Sequence, residues 1–305
     1  MKHHHDHSHA HHNHAPNNFG VAFALAVGLN LGFTIIEAIY ALIANSMSLL
    51  ADAGHNLGDV LGLAISWGAM WLLAKKATNK YSYGFKRTTI LAALINALLL
   101  LGATVGITIE SIHKLITPVH VNEKIVIIIA LIGIVINGGT ALLFMKGQND
   151  LNIKSAFLHL AYDALISFGV VLTGIVIYFT RWNWLDPIIG LVIAITILLG
   201  TWQLLRQSVD LILDAVPHGI DHNAVRDFLL TQTNITAVHD LHIWGLSTKE
   251  TALTAHLIVP NNNLDDTQLQ KIHDTLATRF NIKHTTLQVE RCHENSPCQR
   301  AEECC

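Results

Sequence analysis

The sequence predicts an α-helical membrane protein with six transmembrane helices, followed by a small α/β domain. Of its 305 residues, 51% are hydrophobic and only 13% are charged, whereas an ordinary soluble domain carries about 25% charged residues. Apolar segments of roughly 20 residues, the length that crosses the hydrocarbon core, occur six times before residue 213. From about Pro217 the composition changes to that of a soluble domain.

Short polar breaks separate the six apolar segments. The segments are residues 19–44, 46–74, 88–113, 122–146, 153–180 and 186–212. Among the breaks are the basic loop KKATNKYSYGFKR and the sequence RWNWLDP. The first segment is too long for a signal-peptide core and lacks a basic start, so we expect it to remain as a membrane helix.

The lysines and arginines of the loops predict the orientation in the membrane. Nine of them fall on one side of the six segments and three on the other, and the richer side faces the cytoplasm. We therefore expect a multi-pass protein of the cell inner membrane with both termini in the cytoplasm. The net charge of −3 gives no indication of a nucleic-acid partner.

The region after Pro217 predicts a compact cytoplasmic domain. HNAVRDFLLTQT and LDDTQLQKIHDTLATRF have helical periodicity, whereas AVHDLHIWGLS, TALTAHLIVP and HTTLQVE have the pattern of strands. The resulting order αββαβ predicts a mixed sheet with both helices on one face.

Four regions of the chain follow from these patterns. They are a His-rich cytoplasmic leader (1–18), the transmembrane domain (19–213), the cytoplasmic αββαβ domain (214–291) and a Cys-containing tail (292–305). Eight of the 20 histidines lie in the leader, which is typical of a weak metal collector. All four cysteines lie in the tail rather than across a disulfide framework, and Cys292 and Cys298 are accessory metal-ligand candidates.

One pattern of ionisable residues occurs in two of the membrane segments. His55 and Asp59 stand four apart in the second segment, and His159 and Asp163 stand four apart in the fifth. Side chains at i and i+4 lie on one face of a helix. Two such helices side by side can therefore offer two imidazoles and two carboxylates, the ligands of a tetrahedral zinc site.

The alternative for each histidine is a hydrogen bond across a helix interface. The repetition of HxxxD favours metal binding. Asp52, one turn before His55, is an accessory candidate that fits a vestibule charge or a residue at the helix start. Glu37 and Glu110 are further carboxyls inside membrane segments, where ionisable groups are expensive and usually functional.

Histidine in such a site has a mechanistic consequence. Its unperturbed pKa of about 6.5 makes protons and metal compete for the same nitrogen atoms near neutral pH. A site of this kind that faces the two sides of the membrane in turn would exchange metal for protons.

LADAGHNLGD together with FLHLAYDAL, the six spans, the His-rich leader and the strand VHDLHIW resemble the cation diffusion facilitator family of zinc transporters, in particular bacterial zinc and cadmium exporters. The resemblance implies secondary-active efflux of zinc in exchange for protons, with cadmium as a candidate second substrate. It also implies a homodimer in the lipid bilayer and a ferredoxin-like, metallochaperone-like cytoplasmic domain.

The resemblance also implies two sets of metal ligands. The transport site would comprise His55, Asp59, His159 and Asp163. The cytoplasmic domain would bind regulatory Zn²⁺ through His239, His256 and Glu290.

Two further residues, Gln288 and His242, bear on how many metal ions the cytoplasmic site can hold. Gln288 stands where some members of the family carry another histidine, so a two-metal cluster is not expected. Strand alternation predicts that His239 and His242 point to opposite faces and do not share one ion.

Two other functions fit parts of the pattern. A membrane-embedded zinc sensor would bind the metal without transporting it. A membrane zinc hydrolase would need an open coordination position, which four protein ligands do not leave. The sequence therefore predicts a proton-coupled antiporter rather than an enzyme.

Overall fold

A computed structural model describes residues 19–145, 151–260 and 264–291. The chain forms two compact units, Met1–Leu57 with Lys114–Gly190, and Gly58–His113 with Leu191–Cys305. The predicted His-rich leader and the Cys-containing tail after Arg291 lie outside the described residues.

Six long helices form the membrane domain, as predicted. They are α1 (Phe19–Ile43), α2 (Met47–Leu73), α3 (Thr88–Ile116), α4 (Glu123–Phe144), α5 (Leu151–Thr180) and α6 (Leu185–Ile212). By length and composition, five of the helices can cross a membrane, and α1 is an apolar helix of 25 residues. Large side chains such as Trp67, Trp71 and Phe179 are exposed on these helices, as expected for surfaces that face lipid.

The first unit contains α1, the start of α2, α4 and α5. Helix α4 packs against both α1 and α5. At Gly133 of α4 an added Cβ atom would lie 3.0 Å from Phe33 Cζ and 3.1 Å from Ser167 Oγ. The absence of a side chain at Gly133 therefore allows the three helices to approach closely, as small residues do in membrane bundles.

The N-terminus of α2 is held by Asp186, the second residue of α6. The Asp186 carboxylate accepts hydrogen bonds from the hydroxyls of Ser46 and Ser48, both at 2.6 Å, and from the backbone N–H of Met47. Asp186 and both serines are fully buried or nearly so. The carboxylate thus satisfies backbone N–H groups that have no partner within the helix and complements the helix dipole.

Within the second unit, α3 packs closely against the later part of α2. An added Cβ atom at Gly58 would meet Leu100, and one at Gly62 would lie 2.8 Å from the Asn96 Nδ2 atom. Two glycines four residues apart thus form the contact surface of α2 for α3.

The loop before α3 and the first turn of α3 contact the cytoplasmic domain within the same unit. Three hydrogen bonds make this connection: Lys86 Nζ to Glu250 Oε2 at 2.5 Å, Arg87 Nη2 to Asp214 Oδ1 at 2.6 Å, and Thr248 N to Thr89 Oγ1 at 3.1 Å. Two of these bonds reach the turn that joins the first two strands of the domain.

The cytoplasmic domain has the predicted order αββαβ. Its elements are α7 (His222–Leu230), β1 (Ala237–Gly245), β2 (Thr251–Ile258), α8 (Asp266–Arg279) and β3 (Ile282–Glu290). The sheet order is β1-β2-β3, with β1 antiparallel and β3 parallel to β2. The core between helices and sheet includes Leu229, Leu253, Leu257, Ile272 and Leu276.

A β-bulge in β1 overturns one prediction. Val238 and Ile243 both face the core. Their positions differ by five, an odd number, so strict alternation would put them on opposite faces. The register shifts between His239, which pairs with His256, and His242, which pairs with Thr254. Because residues 254 and 256 share a face of β2, the expectation that His239 and His242 face opposite sides is wrong.

Candidate metal centres

In the membrane domain, Asp163 of α5 lies between two histidines. Its Oδ1 atom is 3.5 Å from His55 Nε2 on α2, and its Oδ2 atom is 3.6 Å from His159 Nε2 one turn away on α5. The Asp163 side chain is 1% exposed, compared with 18% for His55 and 46% for His159. The two imidazole rings are nearly perpendicular, with centroids 6.2 Å apart.

The distances around Asp163 exceed those of ordinary hydrogen bonds, which are about 2.7–3.2 Å for N–H···O. Two ligand atoms that share a tetrahedral zinc ion at about 2.0–2.1 Å lie about 3.3 Å apart. The separations of 3.5 and 3.6 Å are close to this value. The two separations are therefore compatible with atoms that would hold one ion.

Asp59, the fourth predicted ligand, lies on α2 one turn after His55. It belongs to the second compact unit, because the first unit ends at Leu57. The side chain is half-buried, and its i+4 spacing puts it on the same face of α2 as His55. Three of the predicted ligands thus lie close together in the first unit, whereas Asp59 belongs to the second.

Asp52 is buried among the helices of the first unit. It is 0% exposed, and its Oδ2 atom accepts a hydrogen bond of 2.9 Å from Ser167 Oγ on α5. The start of α2 at Met47 is instead occupied by Asp186. Asp52 therefore neither caps the helix nor lies in an exposed vestibule.

In the cytoplasmic domain, His239, His256 and Glu290 form a compact group on three strands. Glu290 Oε2 lies 3.0 Å from His239 Nε2, and Glu290 Oε1 lies 2.8 Å from His256 Nδ1. One ligand atom from each of the three residues lies within 4.8 Å of the others. The group thus has the donor types and the proximity that a zinc site requires.

The two histidines also control the charge of Glu290. Burial favours the neutral form of this carboxyl, but the hydrogen bond and charge of His239 and the charge of His256 outweigh it. As a result, the pKa of Glu290 lies below its ordinary value. The carboxylate form, which a metal ligand must adopt, is favoured.

Asp240 is a residue of this site that the sequence did not indicate. Its Oδ1 atom lies 2.8 Å from His242 Nε2, and its Oδ2 atom lies 3.5 Å from His256 Nε2. The residue has a positive φ of 51° and lies in the bulge of β1. Its acidic side chain in VHDLH was visible, but an alternating strand would have directed it away from His239 and His256.

Gln288 lies opposite His256 in the register of β2 and β3. Its Nε2 atom donates a hydrogen bond of 3.0 Å to Glu290 Oε1. Gln288 therefore orients a candidate ligand instead of providing an imidazole.

Four other candidates from the sequence have different outcomes. Cys292 and Cys298 lie outside the described residues. Glu110 on α3 is exposed, unlike Glu37 of α1, which is 0% exposed.

Comparison with known protein families gives two matches. Residues 23–213 match the cation efflux transmembrane domain. Residues 217–292 match the cytoplasmic domain of cation efflux proteins.

Several characterised proteins are similar over most of their length. The metal cation efflux system protein CzcD of Cupriavidus metallidurans is 34% identical over 280 residues, which cover 91% of this chain and 87% of CzcD. A cadmium, cobalt and zinc/H⁺-K⁺ antiporter of Bacillus subtilis is 34% identical, with 85% of both chains covered. The zinc transporter ZitB of Yersinia pestis is 33% identical, with 90% and 88% covered.

A solved structure of the metal-bound C-terminal domain of the CzcD transporter from the same species as the first relative is 32% identical in sequence. The match covers 23% of this chain and 99% of the solved chain, with a TM-score of 0.22.

Proposed function

Because the chain belongs to the cation efflux family, whose members are transporters and not enzymes, we propose that it exports zinc from the cytoplasm in exchange for protons. The observation that supports this most strongly is Asp163, buried between the imidazoles of His55 and His159. The name of the Bacillus subtilis relative includes cadmium, cobalt and zinc, which supports zinc as the substrate and cadmium as a second substrate.

The ligand set explains how a divalent ion is held inside an apolar bundle. Asp59 and Asp163 would supply two negative charges, which equal the charge of the ion. A buried charge is tolerated when it is paired and coordinated. The imidazoles complete a four-ligand set that zinc accepts in tetrahedral geometry.

The same ligands explain the coupling to protons. A histidine binds metal only through a neutral nitrogen, so a proton and a zinc ion exclude each other at His55 and His159. When the site opens towards an acidic exterior, protonation of the imidazoles releases zinc. When it opens towards the cytoplasm, zinc displaces the protons.

The cytoplasmic group is best suited to regulation. We propose that His239, His256 and Glu290 bind zinc when its cytoplasmic level rises, with Cys292 and Cys298 as accessory ligands. The three main residues lie on three different strands, so metal would fix the strands relative to one another. The sheet is linked to the loop before α3 through Glu250 and Lys86.

We propose that the protein is a homodimer in the cell inner membrane. The domain family that residues 217–292 match is named for dimerisation. The excess of loop lysines and arginines on one side supports cytoplasmic termini.

Transport by proteoliposomes tests this proposal. Full-length protein is reconstituted with a zinc-sensitive dye inside, zinc outside and an acidic interior, so that departing protons drive zinc inward. We expect rapid zinc entry with the unaltered protein and none above background with Asp163→Ala.

The control is Glu110→Gln, which changes an exposed carboxyl on α3 and should transport normally. A zinc sensor would bind zinc, as titration of the same preparation measures, yet give no flux in any variant. That result would reject the transport proposal.

A further inference from the structure

A cavity of about 300 Å³ lies between the start of α3 and the last turn of α6, within the second unit. Four of its lining side chains are aliphatic, and the other two are a threonine and an arginine: Arg87, Thr88, Ile90, Leu91, Leu211 and Ile212. Leu91 and Ile212 are exposed on helices that have the length and composition to cross a membrane. The cavity contains none of the residues of the two candidate metal centres.

Arg87 forms the polar end of this cavity. Its guanidinium is 58% exposed and donates a hydrogen bond of 2.6 Å from Nη2 to Asp214 Oδ1. A guanidinium has five N–H donors, and this bond uses one of them. The backbone N–H groups of Thr88 and Ile90 already donate to the carbonyl oxygens of Phe85 and Arg87. An anion at this end of the cavity would therefore bind to the Arg87 side chain.

The chain segment that precedes the cavity is strongly basic. Residues 75–87, KKATNKYSYGFKR, contain five lysines and arginines and no aspartate or glutamate. Basic segments and pockets beside membrane helices attract the headgroups of anionic lipids. The cavity thus combines a cationic end with an aliphatic wall, which is complementary to a negatively charged phosphate followed by acyl chains.

We propose that this cavity binds one anionic phospholipid, with phosphate oxygens on the Arg87 guanidinium and an acyl chain against Leu91 and Ile212. A phospholipid fits better than a soluble phosphate compound, because the aliphatic side chains have no role in binding a free anion. The site is separate from the transport of metal, and its occupancy can be measured without any transport assay.

Asp214 competes with the lipid phosphate for Arg87. It directly follows the end of α6 and has a positive φ of 57°, a conformation that aspartate and asparagine adopt more readily than most residues. The next residue, Ala215, donates its backbone N–H to the carbonyl oxygen of Asp210 at 2.9 Å, as is typical of a helix end. Asparagine at position 214 can therefore remove the charge and keep the backbone.

Leu211 connects the cavity to the cytoplasmic domain. Its side chain lines the cavity, and a Cβ atom added to Gly245 at the end of β1 would lie only 2.8 Å from Leu211 Cδ2. A bound lipid would thus contact a side chain that packs on the domain and also engage the arginine that binds Asp214. Lipid composition would in this way influence how the end of α6 contacts β1.

Lipid binding to the full-length protein tests this proposal. The protein in detergent micelles is titrated with phosphatidylglycerol or with phosphatidylcholine of identical acyl chains, and native mass spectrometry counts the bound lipids. We expect the first phosphatidylglycerol to bind at least about tenfold more tightly than phosphatidylcholine. Inorganic phosphate at the concentration of the lipid should not displace it.

Four variants locate the site. Arg87→Gln should lower the affinity for phosphatidylglycerol about five- to tenfold, whereas Asp214→Asn should raise it because the competing carboxylate is gone. Leu91→Trp fills the cavity without changing any charge and should also weaken binding. The matched control is Arg206→Gln, which removes an exposed arginine of α6 that does not line the cavity and should leave the affinity unchanged.

The outcomes that would overturn the proposal are distinct. Equal binding of the two lipids would reject an anionic headgroup, and displacement by inorganic phosphate would reject a lipid as the ligand. If Asp214→Asn weakens binding as much as Arg87→Gln, the ion pair acts only by holding the helices together, and the lipid contact is rejected. If Arg87→Gln is too unstable to purify, Leu91→Trp decides, since full affinity in that variant would exclude the cavity.

Discussion

The two candidate metal centres use the same types of ligand in different geometries. Around Asp163, the carboxylate and imidazole atoms are separated by 3.5 and 3.6 Å. Around Glu290, the corresponding distances are 3.0 and 2.8 Å, and the first of these contacts, from His239, is a hydrogen bond. Zinc at the proposed cytoplasmic centre would therefore replace a hydrogen bond between two of its own ligands, whereas the proposed membrane ligands lie further apart.

This difference agrees with the different tasks that we propose for the two centres. A centre whose ligands bind one another without metal responds only when zinc is abundant enough to separate them, which suits regulation. A centre with spaced ligands needs less rearrangement to accept an ion, which suits rapid transport. The two centres should therefore be separable by mutation.

The largest expected effect comes from Asp163→Asn. Loss of the charge between His55 and His159 should reduce zinc flux at least about 100-fold, since even outer partners of a metal site contribute 10–100-fold. Zinc binding by the cytoplasmic domain, measured by calorimetry on the full-length variant, should persist. Loss of both activities would contradict the separation of the two centres.

The next effect concerns Glu290→Gln. In the Asp163→Asn background, this change should lower zinc affinity of the remaining centre about 10–100-fold, because it removes the charged ligand. Asp274→Asn is a suitable control, since Asp274 is an exposed residue of α8 that accepts a hydrogen bond from Gln270. Equal affinity in the two variants would exclude Glu290 as a ligand.

A smaller change is expected in selectivity. His159→Asp replaces an imidazole by oxygen ligands, which manganese prefers relative to zinc. The ratio of manganese flux to zinc flux should rise about tenfold, as parallel assays with each metal would measure. An unchanged ratio would indicate that His159 does not contact the transported ion.

The smallest effect tests the contact between the loop before α3 and the cytoplasmic domain. Lys86→Glu should weaken the contact with Glu250 by about 0.2–1 kcal/mol, the usual range for a partly exposed ion pair. The combined exchange Lys86→Glu/Glu250→Lys should restore thermal stability. If the two single changes are simply additive in the double variant, the pair does not interact.

Much of the fold follows from local patterns in the sequence. Apolar length predicted the bounds of the six membrane helices to within a few residues. Helix α3, for example, begins at Thr88 as expected and ends at Ile116, three residues after the predicted end at residue 113. The i+4 spacing also predicted that His159 and Asp163 share a face. These features depend on neighbouring residues along one helix.

The features that escaped prediction depend on distant contacts or on an exception to periodicity. Ser46 and Asp186 are 140 residues apart, so neither sequence segment indicates their hydrogen bond. The hydrogen bond from Ser167 to Asp52 likewise joins two helices and spans 115 residues. Asp240 was missed because a single residue with positive φ changes the alternation of β1.

Gln288 has a consequence at the level of the gene. Its codons and those of histidine share their first two bases, so one change of the third base converts Gln288 to histidine. The register already aligns this position with His256 on the neighbouring strand. A single point mutation would thus add an imidazole beside the proposed regulatory centre, and natural selection would have a short path to a different metal affinity on an unchanged fold.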